Sequence, residues 1–435
     1  MIDTAKKIKI AYIAAGAAGM YCGSCMRDNT LVKAIIKKGH EVALIPTYTP
    51  MRTDEQNVSI DRVFYNGINV FLQQKFSALR NGRGLVDKLL DNKKLINMVS
   101  RMNASTDAKD LGSLTVSVLK GEEGNQAKEL EKLLEWLKSD YQPQIVQITN
   151  SMFAGLARRL RQELNVPVLC AMQGEDIFLD DLIEPYRTEA MEILRDRAKD
   201  IDGFIATSDY YRDFMTGYLN VPSEKIHTVK LGINMDGHGR SQGPGNDDVF
   251  TIGYLARVCP EKGLHHLVDA LAILVEKLGS GKIRLRTAGY LGKRDFEYFK
   301  DVKKKIKKLG LDDHFEYLGE VDRDEKIAFY NSVHVFSVPT PYKEPKGLSI
   351  IEAMANGVPV VQPEHGSFPE IVNATGGGLL VAPEDPAAIA DGILELFGNA
   401  EKRKSLGQNG KQMVHQNYTD DAMAEETLAV YRKYL

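Results

Sequence analysis

Two glutamates stand eight residues apart, Glu344 in a loop-like segment and Glu352 inside the predicted helix Leu348–Asn356. Pro345 keeps the backbone of Glu344 extended. The first amides of a helix and its positive dipole end favour an anion, so we expect a diphosphate to bind above Lys346–Ser349. A carboxylate can also accept hydrogen bonds from two vicinal hydroxyls. The two glutamates could therefore meet the two ends of a nucleotide sugar, with the phosphates between them.

A second group of charged residues follows a predicted strand. Arg257 and Lys262 lie just after the apolar run Phe250–Leu255, at its carboxyl end. Departure of a nucleoside diphosphate builds negative charge on the leaving oxygen, and two fixed cations can stabilise that charge without a metal. An Arg and a Lys in one loop are more often plain surface charge. Their pairing with the Glu344–Glu352 segment favours the donor-site interpretation.

A glycine-rich turn follows the first predicted strand, Ile8–Ala14. Its glycines stand at 16, 19 and 23, which does not fit the G-x-G-x-x-G fingerprint of a dinucleotide site. We interpret the turn as one that lets the backbone approach a ligand. The alternative from another enzyme class is an NAD(P)-linked oxidoreductase built on this turn. That alternative leaves the two glutamates without a role.

The four cysteines are Cys22, Cys25, Cys170 and Cys259, too few for a disulfide framework in a chain of 435 residues. Cys22 and Cys25 form a C-x-x-C pair, but the sequence has no second pair and no H-x3–5-H spacing to complete a zinc site. We expect small buried or loop-lining thiols here, with a redox pair as the alternative, and no metal site. A reducing cytoplasm is the expected location.

The bulk composition excludes several classes of protein. Charged residues make up 26% of the chain and the net charge is −3, which is typical of a globular enzyme and argues against general nucleic-acid binding. No apolar run reaches about 18 residues, so we expect no membrane-spanning helix. The basic start Lys6–Lys9 and the apolar run after it imitate a signal peptide. Tyr21 stands where cleavage needs a small residue, so we assign Ile8–Ala14 to a buried strand.

Short apolar runs alternate with amphipathic segments along the chain, which predicts parallel sheets with helices on both faces. The predicted strands are Ile8–Ala14, Val42–Pro46, Ile145–Ile148, Val166–Ala171, Phe204–Thr207, Phe250–Leu255, Ile283–Ala288, Val335–Val338 and Val358–Gln362. The predicted helices are Asn29–Lys38, Gly263–Leu278, Arg294–Lys308, Leu348–Asn356 and Pro386–Phe397. We therefore predict an α/β protein of two doubly wound, Rossmann-like domains with a ligand cleft between them.

The predicted domain limits follow from composition. Residues 1–235 form the first domain, with a mostly helical insertion at about 75–132. We favour an ordinary helical insertion, and the alternative is an apolar and basic contact with an acceptor or a membrane surface. Residues 236–248 hold four glycines and no apolar residue, so they are the expected linker. The second domain takes residues 249–418.

Together these motifs resemble glycosyltransferase family 4, whose members have the GT-B fold and transfer a sugar from a nucleotide donor with retention of configuration. The matching residues are Glu344–Glu352, Arg257 and Lys262, Ala15–Gly19, His365–Val372, Gly376–Val381, Asp202–Ser208 and Val229–Ile233. The last two segments correspond to the family's final strands in the first domain. The resemblance covers nearly the whole chain.

The resemblance implies a set of site residues. Arg257 and Lys262 would bind the donor diphosphate, and Glu352 would bind the ribose hydroxyls. Glu344 would bind the transferred sugar. The other implied donor-site residues are Gly19, the segment from Gly319 to Val321, which would flank the base, and the backbone of Gly347, Leu348 and Ser349, which would help bind phosphate. The implied donor is a UDP- or GDP-sugar, the acceptor a hydroxyl of a glycan, lipid or small molecule, and no metal is obligatory. Residues 419–435 would form a helix that crosses back to the first domain.

One position departs from the family pattern. Many relatives carry a histidine after the strand that matches Val168–Ala171, where this chain has Gln173. A glutamine can hydrogen-bond a sugar hydroxyl but cannot titrate. Asp176 could approach the acceptor. The equal alternative is that Asp176 is an ordinary acidic residue of a loop or a helix cap. A non-catalytic nucleotide-sugar binder is a further alternative, although all four charged donor-site residues are present.

Overall fold

The computed structural model describes residues 6–16, 23–64, 73–74, 108–240, 244 and 249–435. Four features predicted from sequence lie wholly or partly outside these residues. They are Gly19, Cys22, residues 75–107 of the predicted insertion, and residues 241–243 and 245–248 of the predicted linker.

The chain forms two compact units, residues 1–230 with 423–435, and residues 231–422. The first unit contains a six-stranded parallel sheet of order β2-β1-β3-β4-β5-β6. Its strands are β1 (Lys9–Ala14), β2 (Glu41–Pro46), β3 (Ile145–Ile148), β4 (Val168–Met172), β5 (Gly203–Ala206) and β6 (Ile226–Thr228). The helices described in this unit are α1 (Gly23–Lys37), α2 (Ala108–Leu119), α3 (Ala127–Trp136), α4 (Ala157–Leu164), α5 (Asp176–Asp180), α6 (Tyr186–Arg197) and α7 (Asp209–Leu219).

The core of the first unit lies between this sheet and its helices. Ile13 on β1, Leu133 on α3 and Phe204 on β5 belong to one buried apolar cluster. Burying such side chains stabilises the fold by about 25 cal/mol per Å² of apolar surface. Because strands of a parallel sheet are covered on both faces, their sequences read as continuous apolar runs, which is why sequence alone predicts them.

The second unit repeats the pattern with a six-stranded parallel sheet of order β12-β11-β10-β7-β8-β9. Its strands are β7 (Phe250–Leu255), β8 (Ile283–Ala288), β9 (Phe315–Tyr317), β10 (Val335–Phe336), β11 (Val360–Pro363) and β12 (Gly378–Val381). The helices that follow β7 are α8 (Leu264–Leu278), α9 (Phe296–Lys308), α10 (Arg323–Asn331), α11 (Leu348–Ala355), α12 (Phe368–Thr375), α13 (Pro386–Gly398), α14 (Ala400–Asn417) and α15 (Asp420–Arg432). The predicted pair of doubly wound α/β sheets is confirmed.

The change of unit falls between Lys230 and Leu231, before the glycine-rich stretch 236–248 that the sequence indicates as a linker. The described start of that stretch packs within the second unit. Asn356 accepts a hydrogen bond from Gly239 N at 3.0 Å, and its side-chain nitrogen lies 2.8 Å from buried His238. Helix α15 passes from one unit to the other, because its residues from Met423 onward belong to the first unit.

Helix α1 begins at Gly23, six residues before the predicted start at Asn29. Its first turns bury two charged residues, Arg27 and Asp28. Arg27 donates to Asp28 Oδ1 at 3.2 Å and to Tyr12 OH at 2.9 Å, so the charges are paired inside the fold. The apolar pattern of the sequence does not predict these first turns, because they are buried through paired charged residues and not through apolar ones.

No helix among the described residues is long and apolar enough to cross a membrane.

Candidate functional site

The loop between β7 and α8 carries Arg257 and Lys262. Gly263 ends this loop with a φ of +71°, and a side chain there would place Cβ 1.9 Å from the Pro339 carbonyl oxygen. Only glycine allows that approach. The close contact brings the loop against the segment that follows β10, which carries Glu344.

Lys262, Tyr342 and Glu344 form one hydrogen-bonded triangle. Lys262 Nζ donates to Glu344 Oε2 at 2.6 Å and to Tyr342 OH at 2.7 Å. Tyr342 OH in turn donates to Glu344 Oε2. Sequence reasoning missed Tyr342, since a tyrosine two residues before a glutamate is no recognised signal. The triangle fixes the Lys262 ammonium and the Glu344 carboxylate in one place.

Glu344 is buried, with 7% of its surface exposed. Burial alone would raise its pKa, but the charge of Lys262 and the hydrogen bonds from Lys262 and Tyr342 lower the pKa from 4.5 to about 2. Its backbone is also held, because Ser367 N donates to Glu344 O at 2.8 Å. Gly366 permits this turn, as a Cβ there would lie 2.6 Å from Glu344 O. The carboxylate is therefore ionised and rigidly placed.

The anion site predicted at the start of α11 has the expected backbone. Gly347 is the N-terminal cap residue with a φ of +70°, and α11 begins at Leu348. The first amides of a helix, here at Leu348 and Ser349, have no partner within the helix and carry its positive dipole end. Gly347 also allows close packing, since a Cβ would lie 2.5 Å from Ile371 Cδ1.

Glu352 lies in the second turn of α11 and is 5% exposed. Lys326 Nζ on α10 donates to Glu352 Oε1 at 2.5 Å. Tyr330 OH, one turn later on α10, donates to Glu352 Oε2 at 3.0 Å. Sequence reasoning missed both partners, because α10 looks like an ordinary charged helix in the sequence.

Arg257 lies less deeply than Lys262, with 37% of its side chain exposed. Its Nε donates to Cys259 Sγ at 3.2 Å, and a terminal nitrogen lies 3.7 Å from Glu261 Oε2. Cys259 is fully buried, and burial raises the pKa of its thiol to about 11. The thiol therefore stays protonated and serves as a packing neighbour of the guanidinium.

The predicted base-side segment, Gly319 to Val321, lies between β9 and α10. Gly319 has a φ of +83°, and its carbonyl accepts a hydrogen bond from Gly289 N at 2.7 Å. Val321 is half-buried and directly precedes the cap residue of α10, Asp322. The segment thus leads into the helix that carries the partners of Glu352.

In the first unit, Gln173 follows the carboxyl end of β4 and is 5% exposed. Its amide nitrogen donates to Asp28 Oδ1 at 2.9 Å and to Thr149 O at 3.0 Å. Its backbone N donates to Glu175 at 2.7 Å. The amide oxygen, in contrast, is buried without a hydrogen-bond partner. An orphaned buried acceptor is costly in the free protein and suited to a ligand donor.

Asp176 is the first residue of the short helix α5 and is partly buried. Tyr211 OH donates to its Oδ1 at 2.6 Å. Burial raises the pKa of Asp176, although the hydrogen bond from Tyr211 acts in the opposite direction. Its side chain makes no cap to α5, whose cap residue is Glu175. The loop-acid and acceptor-side interpretations both remain compatible with this position.

The described cysteines are Cys25, Cys170 and Cys259, and all three are buried. Within the parts of the chain that the structure describes, no three His, Cys, Asp or Glu side chains are grouped so as to hold a metal ion.

Two protein-family models match this chain. The model for glycosyl transferases group 1 matches residues 239–413, which include Arg257, Lys262, Glu344 and Glu352. The model for a glycosyl transferase 4-like domain matches residues 106–232. The chain belongs to glycosyltransferase family 4. Neither family match is to an oxidoreductase, so the NAD(P) alternative finds no support.

Curated relatives agree with this family 4 assignment. An uncharacterized glycosyltransferase of Methanocaldococcus jannaschii is 29% identical over 240 residues, which cover 52% of this chain and 59% of the relative. An MMP alpha-(1->4)-mannosyltransferase of Mycolicibacterium hassiacum is 28% identical over 223 residues, covering 51% of each chain. This chain therefore spans about half the length of the curated relatives it matches.

Solved structures show the same GT-B fold. Sucrose-phosphate synthase of Thermosynechococcus elongatus matches with a TM-score of 0.70 at 18% identity, covering 98% of this chain and 99% of that one. HepE of Anabaena in complex with UDP matches with a TM-score of 0.68 at 16% identity, covering 98% of this chain and 100% of that one. At such identities the likeness concerns the fold, so the family 4 chain described here is a GT-B protein.

Proposed function

We propose that this chain is a retaining glycosyltransferase that moves a hexosyl group from a nucleoside-diphosphate donor to a hydroxyl acceptor. The observation that carries the proposal is the position of Lys262, which bonds Glu344 at 2.6 Å beside the start of α11. A cation, a buried carboxylate and a helix N-terminus together suit the phosphate and the sugar of one donor.

In this proposal the diphosphate binds at the first turn of α11, on the backbone of Gly347, Leu348 and Ser349. Lys262 and Arg257 then stabilise the charge that builds on the leaving phosphate oxygen. The Lys262 ammonium is already positioned for this role, because its hydrogen bond to Tyr342 holds it in place. No electrophilic metal is needed where two cations and a helix terminus share this task.

The two glutamates bind the two ends of the donor. Glu344, held ionised by Lys262, accepts hydrogen bonds from the transferred sugar. Glu352 accepts them from the ribose hydroxyls, and the segment from Gly319 to Val321 flanks the base. Both UDP- and GDP-sugars suit such a site, since the proposed base contacts are with backbone; the likeness to a UDP-bound structure favours testing UDP first.

The first unit supplies the acceptor side in this proposal. Gln173 offers its unpartnered amide oxygen to a hydroxyl of the transferred sugar, and Asp176 approaches the acceptor. After the donor bond breaks, a phosphate oxygen of the leaving group takes the acceptor's proton, so the sugar adds on the face it left. We propose Gly19 as a donor contact and the cytoplasm as the location, where nucleotide sugars are available as substrates.

The test is a panel of UDP- and GDP-sugars scored by thermal shift and by release of nucleoside diphosphate. A ligand at 100 times its dissociation constant stabilises the folded chain by about 2.7 kcal/mol. We expect one donor to stabilise the chain and to be turned over when an acceptor is supplied, with the product's anomeric configuration equal to the donor's. Binding without any turnover would support the non-catalytic binder, and inversion would refute the retaining mechanism.

A further inference from the structure

Lys326 is a buried lysine whose ammonium lies against the proposed ribose-binding carboxylate. It is 6% exposed, and its Nζ donates to Glu352 Oε1 at 2.5 Å. Burying a lysine is unfavourable unless its charge is paired. Replacing such a pair by apolar side chains is often neutral or stabilising. Stability alone therefore gives little reason for a lysine at this position.

The second oxygen of Glu352 has a different partner. Tyr330 is fully buried, and its OH donates to Glu352 Oε2 at 3.0 Å. Tyr330 packs edge-to-face on Phe336 of β10, with ring centroids 5.4 Å apart. Packing against Phe336 therefore fixes the position of the Tyr330 ring and of its hydroxyl.

Counting acceptor sites shows what this arrangement leaves for a ligand. An ionised carboxylate has about four lone-pair sites, two on each oxygen. Lys326 uses one on Oε1 and Tyr330 uses one on Oε2. This leaves one acceptor site on each oxygen of Glu352. Such a pair matches two hydroxyls on neighbouring carbons and is mismatched to a single hydroxyl.

The backbone around Lys326 is also fixed. Asp322 and Glu325 form a reciprocal capping box at the start of α10, with both hydrogen bonds at 2.9 Å. Lys326 N donates to Asp322 O at 2.8 Å, which is a regular i→i−4 hydrogen bond in the first turn of α10. On the facing helix, Asn356 donates to the backbone carbonyl of Glu352 at 2.8 Å. These hydrogen bonds fix the backbone at both Lys326 and Glu352.

We propose that Lys326 is a positioning residue for sugar recognition in the nucleotide: with Tyr330 it orients Glu352 so that one acceptor site on each oxygen faces a vicinal diol. This inference rests on the proposed role of Glu352 in binding ribose. Its consequence is selectivity for ribonucleoside over 2′-deoxyribonucleoside diphosphates. The deoxy form has one hydroxyl and leaves one buried acceptor site on Glu352 unfilled.

The experiment measures the dissociation constants of UDP and 2′-deoxy-UDP by calorimetry, with GDP and 2′-deoxy-GDP as a second pair. The pair that binds the wild-type chain is used throughout. We expect the wild type to bind the ribo form about tenfold or more tightly than the deoxy form, since one hydrogen bond to a buried charged acceptor is lost. Lys326→Met should reduce that ratio to about threefold or less, because Glu352 is no longer held.

Tyr330→Phe is the second variant, since it removes one hydroxyl and keeps the packing on Phe336, and it should reduce the ratio in the same way. Lys277→Met is the matched control, because Lys277 pairs with Asp391 at 2.9 Å on an exposed surface of the same unit. That control should keep the wild-type ratio. A ribo-to-deoxy ratio that stays at the wild-type value in both Lys326→Met and Tyr330→Phe would overturn the inference, even if both ligands bound more weakly.

A Glu352→Gln variant separates this inference from the function it rests on. If Glu352→Gln reduces the ratio and the Lys326 and Tyr330 variants do not, Glu352 binds ribose without the proposed positioning. If Glu352→Gln leaves the ratio unchanged, the role of Glu352 itself is wrong and the inference falls with it. Reduction of the ratio in all three variants supports both.

Discussion

Lys262 Nζ lies 2.6 Å from Glu344 Oε2, so residues 82 positions apart in the sequence share one charge-assisted hydrogen bond. The pair joins the loop after β7 to the segment that leads into α11. A close charged pair of this kind is stronger than a neutral hydrogen bond. In the proposed mechanism Lys262 binds the leaving phosphate and Glu344 binds the transferred sugar, so the two residues lie on either side of the bond that breaks.

The pair should make stability depend on pH. The pKa of Glu344 lies near 2 in the folded chain, below its ordinary value of 4.5, which corresponds to roughly 3 kcal/mol of stability. Because the folded pKa is depressed, this contribution is present above about pH 4.5 and is lost as the pH falls towards 2. Urea unfolding should show Glu344→Gln less stable than the wild type at pH 7, with a difference that shrinks below pH 4.5.

The control for that experiment is Glu297→Gln. Glu297 bonds Lys300 at 3.1 Å, and both side chains are exposed, so their pair is screened by solvent. Its substitution should change stability little at any pH. A pH-independent difference between wild type and Glu344→Gln would contradict the depressed pKa.

Turnover should depend on both cations. Lys262→Ala and Arg257→Ala should each lower kcat by on the order of 100-fold, because each removes charge stabilisation from the transition state. Circular dichroism should show both variants folded. Lys277→Ala, a charge change on the exposed surface, should keep the wild-type kcat. Near-normal turnover in both active-site variants would refute the donor-site assignment.

Catalysis should not require a divalent metal. Lys262, Arg257 and the first turn of α11 supply the positive charge that a metal would otherwise supply. Activity measured after EDTA treatment should equal that of untreated enzyme within about twofold. Complete loss with EDTA, restored by added Mg²⁺ or Mn²⁺, would contradict this prediction.

Gln173 should affect the sugar and not the nucleotide. Gln173→Leu removes the unpartnered amide oxygen, so we expect turnover to fall about tenfold while the affinity for free nucleoside diphosphate stays the same. Gln147→Leu is the matched control, since Gln147 is also buried with an unpartnered amide oxygen but lies within β3. Equal losses in the two variants would indicate a general packing effect.

The sequence predicts the central strands of both units well. The bounds of Ile145–Ile148, Phe250–Leu255 and Ile283–Ala288 agree with the structure to the residue. Ile145–Ile148 and Phe250–Leu255 are mostly apolar and buried, whereas Ile283–Ala288 alternates buried Ile283 and Leu285 with the half-buried Arg284 and Arg286. The last strand of the first sheet was misplaced: the family resemblance indicates Val229–Ile233, and the structure has Ile226–Thr228. A three-residue edge strand containing a histidine and a threonine has too weak an apolar pattern to predict its position.

The candidate site was predictable only in part. Charge type and spacing single out Glu344 and Lys262, but their direct bond depends on the close approach at Gly263, which no pattern encodes. Lys326 was missed because a lysine on a charged helix indicates a solvated surface. Its burial follows from the tertiary packing of α10 against α11.

The most direct test of the whole account is calorimetric binding of two ligands, a free nucleoside diphosphate and its nucleotide sugar, to Glu352→Ala and Glu344→Ala. Both ligands carry the ribose, so Glu352→Ala should weaken both by about tenfold to 100-fold, from the roughly 1.5–3 kcal/mol that a charged hydrogen bond contributes. Glu344→Ala should weaken the nucleotide sugar or its turnover and spare the free diphosphate, since Lys262 stays available for phosphate. If Glu344→Ala weakened the free diphosphate as much as Glu352→Ala does, the assignment of the two glutamates to opposite ends of the donor would be wrong.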